Sequence, residues 1–196
     1  MRFAPRRVSE ITKYYFVLGF RCVENPVLWL TGMPASGKTT VAAACADLLR
    51  ADGIDCAVLD GDAVRRIMWP DLGYSMDDRR LNIQRIAEMA MCMKCVVIVA
   101  TISPMASHRD IARRILGGRY REVYVSAPLD ACEARDPRGM YAKARLGAIE
   151  GFTGVGSAYE TPARPDLIID TVEQTIEQSA AALAGYAALT CASVAK

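Results

Sequence analysis

The sequence is poor in histidine, in aromatic residues and in net charge. It has 196 residues with a single histidine, aromatic residues make up 7%, and the formal net charge is +2. With one histidine and no second closely spaced cysteine pair, a zinc site is not expected. A charge this small gives no reason to expect a nucleic-acid or membrane partner.

Long apolar runs are also missing. No segment reaches the roughly 20 residues that a helix needs to cross a bilayer, and the apolar stretch 14–20 lacks a signal-peptide cleavage pattern. We therefore expect a cytoplasmic protein. The seven cysteines are scattered and odd in number, which does not favour a disulfide framework. For Cys92 and Cys95, a C-x-x-C pair, we expect buried thiols at a helix end and a strand start.

One stretch carries most of the functional information. A short apolar run at 27–30 reads as a strand, an amphipathic helix follows, and between them lies the phosphate-binding P-loop pattern. Its glycines let consecutive N–H groups face phosphate oxygens, a lysine adds positive charge, and a threonine hydroxyl can bind Mg²⁺. We predict that ATP and Mg²⁺ bind at Gly32, Met33, Pro34, Ala35, Ser36, Gly37, Lys38, Thr39 and Thr40.

Short apolar runs alternate with helical patterns along the chain. We predict strands at 27–30, 56–59, 95–100, 120–125 and 167–169. We predict helices over 39–50, from Ser75 to 93, from Ser103-Pro104 to 116, a short one ending at 134, and helices over 139–147 and 171–189. This alternation predicts an α/β fold, a doubly wound parallel sheet flanked by helices. Residues 27–196 form the predicted domain, and residues 1–26 an N-terminal extension that could cover a sheet edge or a dimer surface.

Acidic and hydroxyl side chains follow the predicted strands. Ligands of such sheets bind beyond the carboxyl ends of the strands, where Asp60, Asp62 and Ser103 are placed. One carboxylate can hold Mg²⁺ and the other can accept the proton of an attacking hydroxyl, the parts that phosphoryl transfer needs. A solvated turn is the alternative for the aspartates, and a helix N-cap is the alternative for Ser103.

Arginines cluster near the same edge. Arg65, Arg79, Arg85 and Arg109 suit an anionic substrate, with a surface charge as the alternative for each. The basic segment 135–156 is predicted to be a lid that closes over phosphates and excludes water.

Two aromatic residues and the histidine lie outside the predicted strands. Tyr74 and Phe152 lie in loops and can either stack on a base or pack locally. His108 is expected on a helix surface.

In order along the chain, these motifs resemble the adenylyl-sulfate (APS) kinase family. The resemblance covers residues 24–175 and is carried by Trp29 to Lys38, Leu59-Asp60-Gly61-Asp62 with Arg65, Gly73-Tyr74-Ser75 with Asp78-Arg79 and Asn82-Ile83, Ile102-Ser103-Pro104 with Arg109-Asp110, Glu133 with Arg135-Asp136-Pro137, Gly139 with Tyr141, and Phe152-Thr153-Gly154 with Tyr159-Glu160 and Pro162. It implies a P-loop kinase that transfers the γ-phosphate of ATP to the 3′-hydroxyl of adenylyl sulfate in sulfate assimilation. It further implies Mg²⁺, a homodimer, and a sulfate adenylyltransferase as pathway partner.

The resemblance also assigns roles to residues. It implies that Lys38, Asp60, Asp62 and Ser103 are catalytic, with Asp62 as the base. Asp60 and Thr39 would hold the metal, and Arg135 would contact ATP. The substrate-binding set that it implies is Arg65, Tyr74, Arg79, Asn82, Arg85, Ile102, Ser103, Arg109, Arg138 and Phe152. Ser103 matches the family's phosphoserine position, although direct in-line transfer needs no such intermediate.

Two positions depart from the family pattern on the acceptor side. Ala106 and Gly156 stand where the family usually has arginine and aspartate. A second hypothesis is therefore a kinase of this family with another nucleotide-like or phosphorylated acceptor. A third is a nucleotide-binding module without turnover, against which the intact Lys38, Asp60 and Asp62 argue.

Overall fold

A computed structural model describes residues 25–194 of the chain. Five parallel strands form one sheet in the order β2-β3-β1-β4-β5. The strands are β1 (Val27–Thr31), β2 (Cys56–Asp60), β3 (Val96–Ala100), β4 (Tyr120–Ser126) and β5 (Leu167–Asp170). The helices are α1 (Lys38–Ala51), α2 (Gly61–Met68), α3 (Met76–Cys92), α4 (Ala106–Leu116), α5 (Leu129–Arg135), α6 (Met140–Arg145) and α7 (Ile176–Val194). The predicted doubly wound parallel sheet is confirmed.

The core lies on both faces of the sheet, because successive side chains of a strand point to opposite sides. Leu28 and Leu30 of β1 pack in a cluster with residues of α1 and α7. Val27 and Trp29 of the same strand pack in a second cluster with residues of α3 and α4. β1 and β3 are buried along their whole length, as expected for central strands of a parallel sheet.

A smaller cluster lies outside the sheet layers and includes residues of the predicted lid. Cys132, Tyr141 and Phe152 are among its buried members. The rings of Tyr141 and Phe152 meet edge to face with centroids 5.0 Å apart, a favoured aromatic geometry. Phe152 is thus a loop residue, as predicted, but its ring is buried.

Helix α2 was not predicted. We expected a turn and a loop after β2, but Gly61–Met68 is helical. One carboxylate oxygen of Asp60 accepts hydrogen bonds from the backbone N–H groups of Asp62 and Ala63, at 3.1 and 2.9 Å. Asp60 therefore caps α2, as aspartate commonly does.

Two predicted helix starts were wrong. Helix α4 begins at Ala106 rather than at Ser103-Pro104, because the Ser103 hydroxyl faces Trp29 instead of capping the helix. Helix α7 begins at Ile176 rather than at 171, because the Asp170 side chain first holds a turn. Thr175 and Gln178 then form a reciprocal capping box at the true start.

The expectation for the C-x-x-C pair was also wrong. Cys92 is exposed and Cys95 is half-buried, because helix α3 ends at Cys92 near the surface. Among residues 25–194, no helix is long and apolar enough to cross a membrane. Apart from its last two residues, the predicted extension 1–26 lies outside the described residues.

Candidate active site

The P-loop connects β1 to α1 and has the conformation that the motif requires. A side chain at Gly32 would clash with the carbonyl oxygen of Val125 in β4, so only glycine fits there. Gly37 has a φ of 96° and is the N-cap of α1 without any side-chain cap, a left-handed conformation that glycine adopts freely. Because no side chain caps α1, its first N–H groups can bind an anion.

Lys38 is buried inside the loop. Its ammonium group donates to the carbonyl oxygens of Gly32 at 2.9 Å and Met33 at 2.6 Å. Burial lowers the pKa of Lys38 to about 8, while the negative charges of Asp62 and Asp60 act in the opposite direction. The lysine is thus held at the P-loop, where it can contact a phosphate.

Thr39 and Asp60 form the part of the site that suits a metal ion. The Thr39 hydroxyl donates to the second carboxylate oxygen of Asp60 at 2.7 Å. Hydroxyl and carboxylate oxygens are ligands that Mg²⁺ accepts. Within the described chain, no group of three or more His, Cys, Asp or Glu side chains could hold a metal. Mg²⁺ takes few protein ligands and completes its shell with phosphate oxygens and water.

The predicted lid contacts Asp62 directly and is linked to the P-loop through Thr171. Arg138 forms an ion pair with Asp62 at 3.6 Å. Arg135 donates to the hydroxyl and the carbonyl of Thr171, at 2.9 and 2.7 Å. The Thr171 hydroxyl donates to the carbonyl of Ser36 at 2.9 Å. One residue after β5 therefore links the start of the lid to the P-loop.

Arginines from α2 and α3 organise the opposite side of the site. Arg65 donates to the carbonyl of Gly73, and its guanidinium lies 4.7 Å from the centre of the Tyr74 ring, which is 66% exposed. Arg79 donates to the carbonyls of Tyr74 and Gly151, at 2.9 and 2.8 Å. Arg79 thus ties two loops together.

Three buried polar atoms have no hydrogen-bond partner within residues 25–194. They are Nε of Arg65, Oδ1 of Asn82 and Nδ1 of His108. Buried polar groups are normally paired. Arg65 and Asn82 both belong to the predicted substrate-binding set, and the unpartnered atom of each is buried.

The structure corrects the expectation for His108. Its side chain is only 4% exposed, because the start of α4 packs against α3. Burial lowers the pKa of His108, and the nearby guanidinium groups of Arg79, Arg80 and Arg109 lower it further. The imidazole is therefore held in its neutral form.

Ser103 and Arg109 are buried behind the site. Ser103 is 1% exposed, and its hydroxyl accepts a hydrogen bond from Nε1 of Trp29 at 2.9 Å. Arg109 donates to the Ser103 carbonyl at 2.9 Å and forms a buried ion pair with Glu122 at 2.9 Å. Sequence reasoning missed Glu122, although one acidic residue in an otherwise apolar strand was a usable signal.

Arg85 and Ile102, two further residues of the predicted set, also have partners within the protein. Arg85 lies 5.5 Å from the centre of the Trp69 ring, and the carbonyl of Ile102 accepts from the Thr31 hydroxyl at 2.6 Å. A cleft of about 500 Å³ runs beside the P-loop. Its lining includes Met33, Tyr124, Leu129, Gly156 and Tyr159. A side chain added at Gly156 would make ordinary contacts with the backbone of Gly151 and Phe152.

Comparison with known proteins gives one consistent result. The adenylylsulphate kinase family model matches residues 24–170. The adenylyl-sulfate kinase of Bacillus pumilus is 46% identical over 167 residues, which cover 83% of this chain and 85% of that protein. The adenylyl-sulfate kinase of Vibrio cholerae is 47% identical over 156 residues, which cover 78% and 73%.

A solved structure agrees with these relatives. The APS kinase of Mycobacterium tuberculosis, in complex with AMPPNP and APS, superposes with a TM-score of 0.78 at 40% identity. The superposition covers 81% of this chain and 95% of that one. By sequence and by fold, the chain belongs to the adenylyl-sulfate kinase family.

Proposed function

We propose that this protein transfers the γ-phosphoryl group of ATP to the 3′-hydroxyl of adenylyl sulfate and releases 3′-phosphoadenylyl sulfate and ADP. One observation carries the proposal. A formed P-loop with Lys38, the Thr39–Asp60 pair and Asp62 lies at the same sheet edge as Arg65 and Asn82, whose buried polar atoms are unpaired. This brings a phosphate-binding side together with a side that carries the Arg65 guanidinium and an unpaired amide oxygen of Asn82.

The donor side holds the triphosphate. The N–H groups of the P-loop and the Lys38 ammonium group bind the phosphates, while Thr39 and Asp60 hold Mg²⁺. When bound, Mg²⁺ neutralises charge on the β- and γ-phosphates. The hydrogen bonds that fix Lys38 and Thr39 place these groups before the nucleotide arrives.

Asp62 is the proposed general base. It lies in the first turn of α2, next to the Asp60 cap, and its carboxylate is half-exposed. From there it can accept the proton of the attacking 3′-hydroxyl. Its ion pair with Arg138 connects the base to the lid over 135–156, so lid closure and proton transfer involve adjoining residues.

We propose direct transfer, without a phosphoserine. Ser103 is 1% exposed and its hydroxyl faces Trp29, so transferring a phosphoryl group to it would first require this buried side chain to become accessible. Ser103 and Arg109 instead position the segment between β3 and α4. A balanced in-line displacement needs only the acceptor hydroxyl, Asp62 and the donor groups.

On the acceptor side, Arg65, Arg79 and Asn82 are the proposed contacts for the anionic adenylyl group, and the exposed ring of Tyr74 is a stacking surface for its base. The burial of Phe152 against Tyr141 favours its packing alternative. A homodimer, a cytoplasmic location and a substrate supplied by a sulfate adenylyltransferase remain parts of this proposal.

The test is ADP release from MgATP, measured with and without adenylyl sulfate, using Lys38→Ala as the blank. The titration begins near about 1 μM acceptor, the lower end of usual KM values. We expect saturable, acceptor-dependent release that the variant abolishes.

Two other outcomes would replace the proposal. ATP binding without release would favour another nucleotide-like acceptor, the hypothesis that Ala106 and Gly156 motivate. Failure to release ADP with any such acceptor would indicate a binding module.

A further inference from the structure

Helix α7 has an apolar face on each side. Its inner face is buried against α1 and β5 and includes Ala180, Leu183 and Ala187. Its outer face is exposed and is formed by Ala181, Ala182, Gly185, Ala188 and Leu189. This set, called here the outer stripe, has the spacing of one helix face. From 178 to 194 the helix sequence contains no charged residue.

An apolar outer face is unusual for a surface helix. A helix that is apolar all round is normally covered by something. Leu189 is nonetheless 72% exposed, and a side chain added at Gly185 would meet no described atom within 4 Å. The small residues leave a shallow surface on which bulky side chains can pack.

The chain enters the described structure beside this helix. Sγ of Cys191, two residues after Leu189, lies 3.9 Å from Oδ1 of Asn25. Asn25 is also fixed by Lys94 and Arg119, with hydrogen bonds of 2.7 Å each. Asn25, where the described structure begins, is therefore held at a defined point next to the outer stripe.

We propose that the apolar segment 14–20 of this chain packs on the outer stripe of α7. The segment reads Tyr-Tyr-Phe-Val-Leu-Gly-Phe, so its bulky side chains complement the small residues of the stripe. Its length also fits. Tyr14 precedes Asn25 by 11 residues, a reach of at least about 16 Å. Ala181 precedes Cys191 by 10 residues, about 15 Å along the helix.

The charged residues favour packing in which segment 14–20 runs from Asn25 toward the start of α7. Beyond segment 14–20, toward the amino end, come three basic residues, Lys13, Arg7 and Arg6, and one acidic residue, Glu10. Beyond the outer stripe, toward the start of α7, come the exposed Glu173 and Glu177. With the apolar parts aligned from Asn25 onward, the basic residues reach the acidic ones.

The first test measures thermal stability of the full chain. Leu189→Ser and Phe16→Ser should each lower Tm by about 4 °C, as expected for removing a buried apolar contact in a chain of this size. The matched control is Ile67→Ser, which is also helical and is 71% exposed in its own helix; it should change Tm by less than about 1 °C. The double variant Leu189→Ser/Phe16→Ser should lose little more than either single variant.

The second test is limited tryptic cleavage after Lys13. In the unchanged protein this bond should be cut several-fold more slowly than in Leu189→Ser, because packing on α7 shields it. Equal Tm effects for Leu189→Ser and Ile67→Ser, additive single variants, or equal cleavage rates would overturn the proposal.

A second copy of the chain is the competing occupant of the stripe. In that case the Tm loss of Leu189→Ser would depend on protein concentration, light scattering would show a smaller mass for the variant, and Phe16→Ser would have no effect. That pattern would also overturn the proposal. None of these measurements depends on the acceptor of the kinase reaction.

Discussion

The donor side and the acceptor side of the site are held in different ways. On the donor side, Lys38 bonds P-loop carbonyls and Thr39 bonds Asp60, so the groups are held by protein partners. On the acceptor side, Arg65 and Asn82 each keep an unpaired buried side-chain atom, counting partners among residues 25–194. The donor side chains thus have protein partners before a ligand binds, whereas the acceptor side has two buried side-chain atoms that lack a partner within the described residues. Variants should therefore separate turnover from acceptor affinity.

The largest expected effect is on turnover. Asp62→Asn removes the proposed base and should lower kcat by about 10²–10⁴-fold while leaving the KM for ATP unchanged. The measurement is steady-state ADP release at saturating MgATP. Asp77→Asn, which changes a fully exposed carboxylate on α3, is the control and should keep normal kcat. A kcat within about threefold of normal for Asp62→Asn would remove Asp62 as the base.

The next effect is on acceptor affinity. Arg65→Met removes a charged donor and should raise the KM for adenylyl sulfate by about 10–100-fold, with little change in the KM for ATP. Initial rates over a grid of both substrates measure this. Arg66→Met alters the exposed neighbouring arginine and should have little effect. If Arg65→Met raised the KM for ATP instead, the division into two sides would be wrong.

A smaller effect separates the two roles of Asp60. Asp60→Ala loses the N-cap of α2 and should reduce the free energy of unfolding by about 1 kcal/mol relative to Asp60→Asn, since asparagine also caps helices. Urea unfolding measures this difference. Both variants should need more Mg²⁺ for half-maximal activity, because each removes a charged metal ligand. Equal stability of the two variants would contradict the capping role.

The smallest effect concerns pH. The folded pKa of His108 lies below its usual value, so between about 6.5 and that lower pKa the unfolded chain binds a proton that the folded protein does not. Stability should therefore fall as the pH drops below about 6.5. His108 is the only histidine in the sequence, so one imidazole NMR signal reports its titration.

The variant His108→Asn tests the same contribution by urea unfolding. The free energy of unfolding should then differ less between about pH 5.5 and 7.5 than in the unchanged protein, because the contribution of His108 is gone. A measured pKa at or above about 6.5 would contradict the burial argument.

The sequence predicted the parallel sheet and the P-loop because each depends on residues adjacent in the chain. Apolar strands and a glycine-rich turn are local patterns, so they can be recognised without knowing the tertiary contacts. The surroundings of Ser103 and His108 were not predictable in this way. The Ser103 hydroxyl bonds Trp29, 74 positions away, and His108 is buried by a neighbouring helix. Helix α2 is a different case, because its aspartate cap was visible but was interpreted as a site residue or part of a solvated turn, and not as a helix cap.

The two oxygens of the Asp60 carboxyl group have separate partners. One holds the first turn of α2, the helix that carries Arg65, and the other meets Thr39 in α1. A cation bound between Asp60 and Thr39 is therefore mechanically connected to the arginine that faces the acceptor. A substitution at Asp60 should therefore disturb α1 and the helix that carries Arg65 together.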